Sequence, residues 1–407
     1  TIRRPRPDDF QIKEAAEVIR SSKNPIIISG GGVFYSDAME ELSDFAIKHN
    51  IPVTQTVMGY STMKRDHPHY AGQIGALGGK NTNLIAKQTD LAIAIGTKLG
   101  DFTTGSWANF ENKNFKLVTI NVSRFDANKH LAQAIVGDAK ISLKDLSIAL
   151  GDWKANEEWN KKSQTELTIW NEQIEKESAP SNQEIPSYVQ AIGAIYKNSD
   201  PSDIAVTAAG GLVGEVVQVW RPRELNTHET EWGFSCMGYE ISGALGIKMA
   251  NPNKEVISFV GDGSYLLNNT DIYSSVITKN KLIIIVCDNG GFAVINRLQL
   301  FKGGNEYNNL LKSSNTPGLV DVDFAKHAES MGAKSEHVNS ISDLEEAFKR
   351  AKKSDVTYVI SIKTHAYQWL EGSAFWDSPT LEIPTTDENK EALKLYKEGK
   401  SKQRQGV

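Results

Sequence analysis

Val256-Ile257-Ser258-Phe259-Val260-Gly261-Asp262-Gly263-Ser264 is the stretch on which the reading of this chain turns. The apolar run reads as a strand covered on both faces of a sheet, and the glycine-flanked turn after it opens a helix. Glycines let backbone amides approach phosphate oxygens, and a helix N-terminus favours negative charge. Such turns are widespread in α/β proteins, but the aspartate narrows the reading. A carboxylate aimed into a phosphate cradle repels the ligand unless a cation sits between them. Mg2+ suits that place, because it binds through one or two carboxylates plus substrate phosphates.

A second oxygen ligand is expected on the next strand. Residues 281–288 form an apolar run that ends in Asp288-Asn289-Gly290-Gly291. Parallel neighbours would set Asp262 beside Asn289 at the carboxyl edge, where open α/β sheets bind ligands. The Asn289 amide offers an oxygen without added charge, and Gly291 can offer its backbone carbonyl at a sharp turn. Asp288 reads as a capping or solvated neighbour rather than as a third ligand.

Working outward, the chain alternates helical periods with short apolar runs. A helix is expected over 13–23, followed by Pro25-Ile26-Ile27-Ile28, the turn Gly30-Gly31-Gly32, and a helix over 36–49. Strands follow at Ile51–Thr54, Leu91–Gly96 and Leu117–Val122. Residues 1–150 therefore read as one doubly wound α/β domain. Residues 151–184 change character, with Trp153, Trp159 and Trp170 among many polar residues, and read as a helix and linker to a second domain. That domain, 185–382, is expected to carry helices at 187–197, 213–220, 238–250, 265–279 and 340–353. Its strands are expected at 204–207, 255–260, 281–288 and 358–362. Residues 383–407 read as a charged tail that forms a peripheral helix or frays. The fold class is α/β, with two doubly wound parallel-sheet domains.

The 407 residues carry 45 Lys and Arg against 50 Asp and Glu, a formal charge of −5, so no basic block invites nucleic acid. No apolar run reaches the eighteen or so residues that cross a bilayer, and membrane insertion is not expected. The two cysteines, Cys236 and Cys287, are far apart, which excludes a disulfide framework and fits a cytoplasmic protein. The chain opens on Thr1 without a methionine, which reads as an entry into something longer.

Gly261-Asp262-Gly263 and Asn289 together resemble the metal-diphosphate motif of thiamine-diphosphate-dependent enzymes of the acetolactate-synthase-like group. Gly233-Phe234-Ser235-Cys236-Met237-Gly238-Tyr239 and the run Gly243 to Pro252 are similar to theirs as well. The resemblance implies thiamine diphosphate and Mg2+ as cofactors, with Asp262, Asn289 and the Gly291 carbonyl on the metal. It implies Gly210, Gly211, Gly261, Gly263 and Ser264 around the cofactor. Met237 would be the apolar prop that keeps the cofactor bent, and the Ser235 carbonyl would meet its aminopyrimidine. Within the group, Ala208–Leu212, Asp101–Trp107 and Gly233–Glu240 resemble the trihydroxycyclohexanedione acylhydrolases of inositol catabolism. That implies hydrolytic C–C ring opening of a cyclic 1,2-diketone. Where the synthases carry Gly-Gln-His, this chain has Gly211-Leu212-Val213, which favours the hydrolase over an acetolactate- or glyoxylate-type carboligase. The segment Tyr367–Trp376 departs in part from the hydrolases.

The family also carries an N-terminal domain whose glutamate activates the cofactor, and no residue here takes that role. The expectation is therefore half of a shared site in a homodimer or homotetramer, inactive alone, acting in full on a small-molecule substrate. Gly30-Gly31-Gly32 lacks G-x-G-x-x-G spacing and reads as a tight turn. The three tryptophans read as core or interdomain packing, and Cys236 as a small buried hydrophobe. His228, with Glu229, is a candidate for the substrate pocket, and Asp101 and Trp107 for its entrance.

Overall fold

Short strands that run the same way must be joined by crossovers that cover the sheet, and here the crossovers are helices on both faces. The computed structural model describes residues 3–181, 183–372 and 374–404. Its first sheet contains β1 (Pro25–Ser29), β2 (Val53–Gln55), β3 (Tyr70–Gln73), β4 (Leu91–Ile95), β5 (Lys116–Asn121) and β6 (Gln133–Val136). They lie in the order β3-β2-β1-β4-β5-β6, every pairing parallel. The second sheet contains β7 (Ile204–Thr207), β8 (His228–Thr230), β9 (Val256–Gly261), β10 (Ile283–Asp288), β11 (Lys334–Val338) and β12 (Tyr358–Lys363). Its order is β11-β12-β10-β9-β7-β8, again wholly parallel. Two doubly wound α/β units result, as the apolar runs lead one to expect.

The central strands are the ones whose sequence is most apolar. Ile26, Ile27 and Ile28 of β1 and Ile283, Ile284 and Ile285 of β10 have no exposed surface. The strands that apolar runs do not reveal are β3, β6, β8 and β11, which are the four sheet edges. An edge has one hydrogen-bonded neighbour and tolerates polar residues, so Lys334-Ser335-Glu336-His337-Val338 pairs well without an apolar signature.

Two helices differ from expectation for local reasons. The helix expected at 213–220 begins three residues earlier, at Gly210, whose φ of +77° a side chain would strain. The helix expected over 265–279 is two helices, Asp262–Leu267 and Asp271–Ile277. Between them Asn268 turns its amide to Ser242 Oγ (2.7 Å) and Asn269 donates back to the Tyr265 carbonyl (3.0 Å). Short amides that bond locally compete with the helix ladder and break it. Of the two outcomes expected for the tail the helix is the one found: Asp387–Ser401 is continuous, tied down as Tyr396 Oη donates to Asp377 (2.6 Å).

The segment between the units is largely a 22-residue helix, Glu157–Ser178. Its Trp159 is buried and donates from Nε1 to the Pro25 carbonyl (2.8 Å), fastening it to the first sheet. About three to four turns on, Trp170 and Ile174 enter the core beneath the second sheet with Ile192 and Ile195. The tryptophans therefore hold the helix to both units, rather than leaving it on the surface. Trp170→Ala is expected to cost about 3–5 kcal/mol, the usual range for emptying a buried aromatic site. A urea midpoint unchanged from that of the parent chain would contradict the assignment.

Candidate functional site

The register between β9 and β10 sets the geometry. Cys287 lies across from Gly261, so the chain leaves the two strands with Asp262 beside Asp288 and Asn289 one residue further out. Two carboxylates side by side in a buried position repel. One of them is compensated, since Asp288 accepts from the Gly290 amide (2.9 Å) and pairs with Lys363 Nζ (2.6 Å). Asp288 is thus a buried, ion-paired turn residue rather than a solvated neighbour. Asp262 has no cationic partner among the described residues. Its Oδ2 accepts from the Gly291 amide (2.6 Å), and burial, with the nearby Asp288, pushes its pKa up to about 7. A carboxyl group raised in this way is short of positive charge.

Asn289 is oriented by a residue that motif reading does not reveal. Its Nδ2 donates to the Tyr188 hydroxyl, which leaves Oδ1 buried without a hydrogen-bond partner. An orphaned buried carbonyl oxygen costs free energy unless something electropositive meets it. Gly290 and Gly291 adopt φ of +76° and +140°, and a Cβ on Gly291 would lie 2.5 Å from the Asn309 carbonyl oxygen. Only glycine allows this turn to fold back over the strand end. The preceding helix signal, Ser187 capping Gln190, is plain in the sequence, but its Tyr188 becomes a site residue only through the packing.

Above these groups is a cavity of about 250 Å³. Gly210, Gly211, Ser235, Met237, Gly261, Asp262, Gly263, Ser264, Asn289 and Gly291, drawn from four separate segments, all line it. The N-terminal turns of Gly210–Val219, Asp262–Leu267 and Ala293–Phe301 face the same space. Amides at helix starts have no intrahelical acceptor and suit phosphate oxygens. On the apolar side, a Cβ on Gly263 would come within 2.7 Å of Phe292 and 3.3 Å of the Met237 methyl, so glycine there keeps the space open. Among the described residues, no three His, Cys, Asp or Glu side chains converge to hold a metal. The oxygens the structure leaves at the base are of two kinds, the Asp262 carboxylate and the Asn289 amide oxygen.

His228 does not line this cavity. It sits in edge strand β8, 7% exposed, with its ring against Tyr60 (centroids 5.3 Å apart) and Nε2 3.4 Å from Thr207 Oγ1. Cys236 is a correction to the sequence reading, being exposed rather than buried. The Glu231 carboxylate accepts from the amides of Phe234 (2.9 Å) and Cys236 (2.7 Å), curling the loop so that these side chains point outward. Trp107 is buried against Phe110 and His130, whereas its neighbour Phe102 meets Trp232 (5.3 Å) and Trp376 (5.1 Å). These three partly exposed rings come from segments that lie far apart in sequence.

A cavity of this kind, at the carboxyl edge of a parallel sheet with Asp262 and Asn289 at its base, defines a diphosphate-binding enzyme domain. Sequence comparison gives the class. The family models "Thiamine pyrophosphate enzyme, central domain" and "Thiamine pyrophosphate enzyme, C-terminal TPP binding domain" match residues 12–146 and 208–362. The chain belongs to the thiamine pyrophosphate enzymes. It is similar to proteins named 3D-(3,5/4)-trihydroxycyclohexane-1,2-dione hydrolase. That of Geobacillus thermodenitrificans is 35% identical over 419 residues, covering 95% of this chain and 64% of the relative. That of Clostridium perfringens is 36% identical over 403 residues, covering 92% and 63%. That of Bacillus licheniformis is 34% identical over 420 residues, covering 97% and 65%. The chain spans slightly less than two thirds of the length of these relatives.

The residues present fit the cofactor and its metal. Unpartnered Asn289 Oδ1 and cation-poor Asp262 suit a divalent cation, and the cradle of helix starts suits a diphosphate.

The depressed pKa of His228 has a consequence for stability. Burial pushes it down to about 3, so the folded chain holds it neutral while the unfolded chain protonates it near its ordinary value of 6.5. The unfolded state then binds the extra proton between these values. Its contribution to stability is complete above about pH 6.5 and is lost as pH falls toward 3. His228→Gln should flatten the fall in stability between pH 7 and 4.5 by up to about 1.4 kcal/mol per pH unit. Urea titrations at several pH values test this, and parallel pH profiles for the two proteins would contradict it.

Proposed function

We propose that these two domains belong to a thiamine-diphosphate- and Mg2+-dependent hydrolase that opens a cyclic 1,2-diketone, trihydroxycyclohexanedione, by C–C cleavage in the breakdown of inositol. The observation that carries the cofactor half of this reading is the pairing of cation-poor Asp262 with the orphaned Asn289 oxygen at the base of the cavity. The substrate half rests on the relatives, all at 34–36% identity along nearly the whole chain. Gly211-Leu212-Val213 in place of the synthases' Gly-Gln-His favours hydrolysis over carboligation.

Each group of the chain has a part in this reading. Asp262, Asn289 and the Gly291 carbonyl hold Mg2+, and Tyr188 keeps the Asn289 amide turned with its oxygen inward. Gly210, Gly211, Gly263 and Ser264 bring backbone and hydroxyl donors to the diphosphate. Ser235 lies at φ +53° and its hydroxyl donates to the Ala208 carbonyl (3.0 Å), and its own carbonyl would be the group to meet the aminopyrimidine. Met237 and Phe292 supply the apolar surface against which the cofactor bends. Once bound, thiamine diphosphate supplies a carbanion on its thiazolium ring. Phe234 is 93% exposed, and Leu266, Leu267 and Phe292 are also exposed beside the cavity. Such an apolar rim supports completion of the site by further protein in a homo-oligomer. No described helix is long and apolar enough to cross a membrane.

Titrating thiamine diphosphate with Mg2+ into the chain should show saturable, metal-dependent binding, weakened on the order of 10–100-fold by Asp262→Ala. Equal binding by the two proteins, followed by calorimetry, would refute the metal assignment. Assaying turnover of the cyclic dione and of pyruvate then separates the chemistries. Acetolactate formation without diketone turnover would replace the hydrolase with a carboligase.

A further inference from the structure

Glu240 belongs to none of the groups above, yet its carboxylate touches the backbone that carries them. It is 1% exposed, at the start of the helix Tyr239–Ala250, and among the described residues no lysine or arginine pairs with it. Oε1 accepts from the Ala209 amide (3.3 Å) and Oε2 from the Gly238 amide (2.8 Å). Ala209 is the residue before Gly210 and Gly211, and Gly238 follows Ser235 and Met237 directly. One side chain thus joins two of the segments that wall the cavity.

We propose that Glu240 is a positioning residue that clamps these loops into the shape that receives the cofactor. The inference rests on the cofactor reading given above for what the shape is for. The clamp itself is independent of that reading. The loops need such a tie because their own backbone offers little. Gly238 sits at φ +97°, Ser235 at φ +53° and Gly210 at φ +77°, conformations that neither a helix nor a strand ladder supports. A carboxylate is suited to the task because each of its two oxygens accepts an N–H with no donor of its own. Glutamine has the same reach but one acceptor, and its amide would set N–H against N–H on one loop. Ser258 Oγ donates to the backbone carbonyl of Glu240 (2.9 Å), a contact with β9 in which the carboxylate takes no part.

Glu240→Gln tests the proposal in two measurements on the whole chain. Without cofactor, hydrogen exchange at the Ala209 and Gly238 amides should quicken about tenfold or more while the amides of β9 and β10 keep their protection. In calorimetry with thiamine diphosphate and Mg2+, the variant should bind on the order of 10-fold or more weakly. Ser258→Ala, which removes only the bond to the Glu240 backbone, should leave both readouts near those of the parent. Unchanged exchange at Ala209 and Gly238 would overturn the clamp. Loss of protection throughout β9 and β10 would overturn it too, by making Glu240 a residue of the fold. Parent-like behaviour of Glu240→Gln beside weakened Ser258→Ala would shift the role to the helix start and equally overturn it. If the parent chain itself fails to bind the cofactor, the cofactor reading falls, and the exchange measurement still decides the clamp.

Discussion

The register of β9 against β10 is the constraint on which the site depends. Parallel pairing of Gly261 with Cys287 forces two aspartates to leave the sheet together, in a place where water is scarce. Lys363 compensates Asp288, and among the described residues nothing of the same kind compensates Asp262. The imbalance is local, and it is what makes the carboxyl edge of this sheet a place for a cation and an anionic ligand. The glycines at 290 and 291 then fold the chain back so that the Asn289 oxygen stays within the same space.

The rest of the cavity is shaped by backbone held from behind. Glu231 curls one loop, and the Ser235 hydroxyl joins that loop to the one before Gly210. The helix that starts at Gly210 is buttressed from the other unit, where Val57 and Tyr60 pack on Val213 and Val217 and Leu77 closes on Gly214. Glu215 on that helix accepts from the Leu370 amide with both oxygens (3.2 Å each), and burial raises its pKa to about 8. The first unit therefore contributes to the site through the rigidity of one helix, and none of its described residues lines the cavity.

Much of the fold was legible because central parallel strands must be apolar on both faces. The runs at 25–28, 91–96, 255–260 and 281–288 declare themselves for that reason. The edges β3, β6, β8 and β11 were not legible, since one-sided pairing leaves no apolar signature. The split at Asn268–Thr270 was hidden as well, because the amides break the helix only where Ser242 stands near enough to accept one of them. In the site, the glycines, Asp262 and Asn289 were visible through chemistry that few other residues perform. Tyr188 and Glu240 were not, because a tyrosine and a glutamate near helix starts are ordinary until packing brings Asn289, Ala209 and Gly238 to them. The exposure of Cys236 likewise follows from Glu231 gathering amides, which no spacing announces.

Sequence alone determined the α/β class and the two parallel sheets, and it singled out Asp262 and Asn289 as the candidate ligand pair. Each of these follows from local rules: apolar periodicity, and a turn in which a carboxylate among phosphate-binding amides demands a cation. Tertiary structure decided which carboxylate is left without a counter-charge, which oxygen of Asn289 faces inward, and that His228 lies in a seam rather than in the cavity. Those are matters of distance between residues far apart in the chain, and such distances exist only once the sheets have closed.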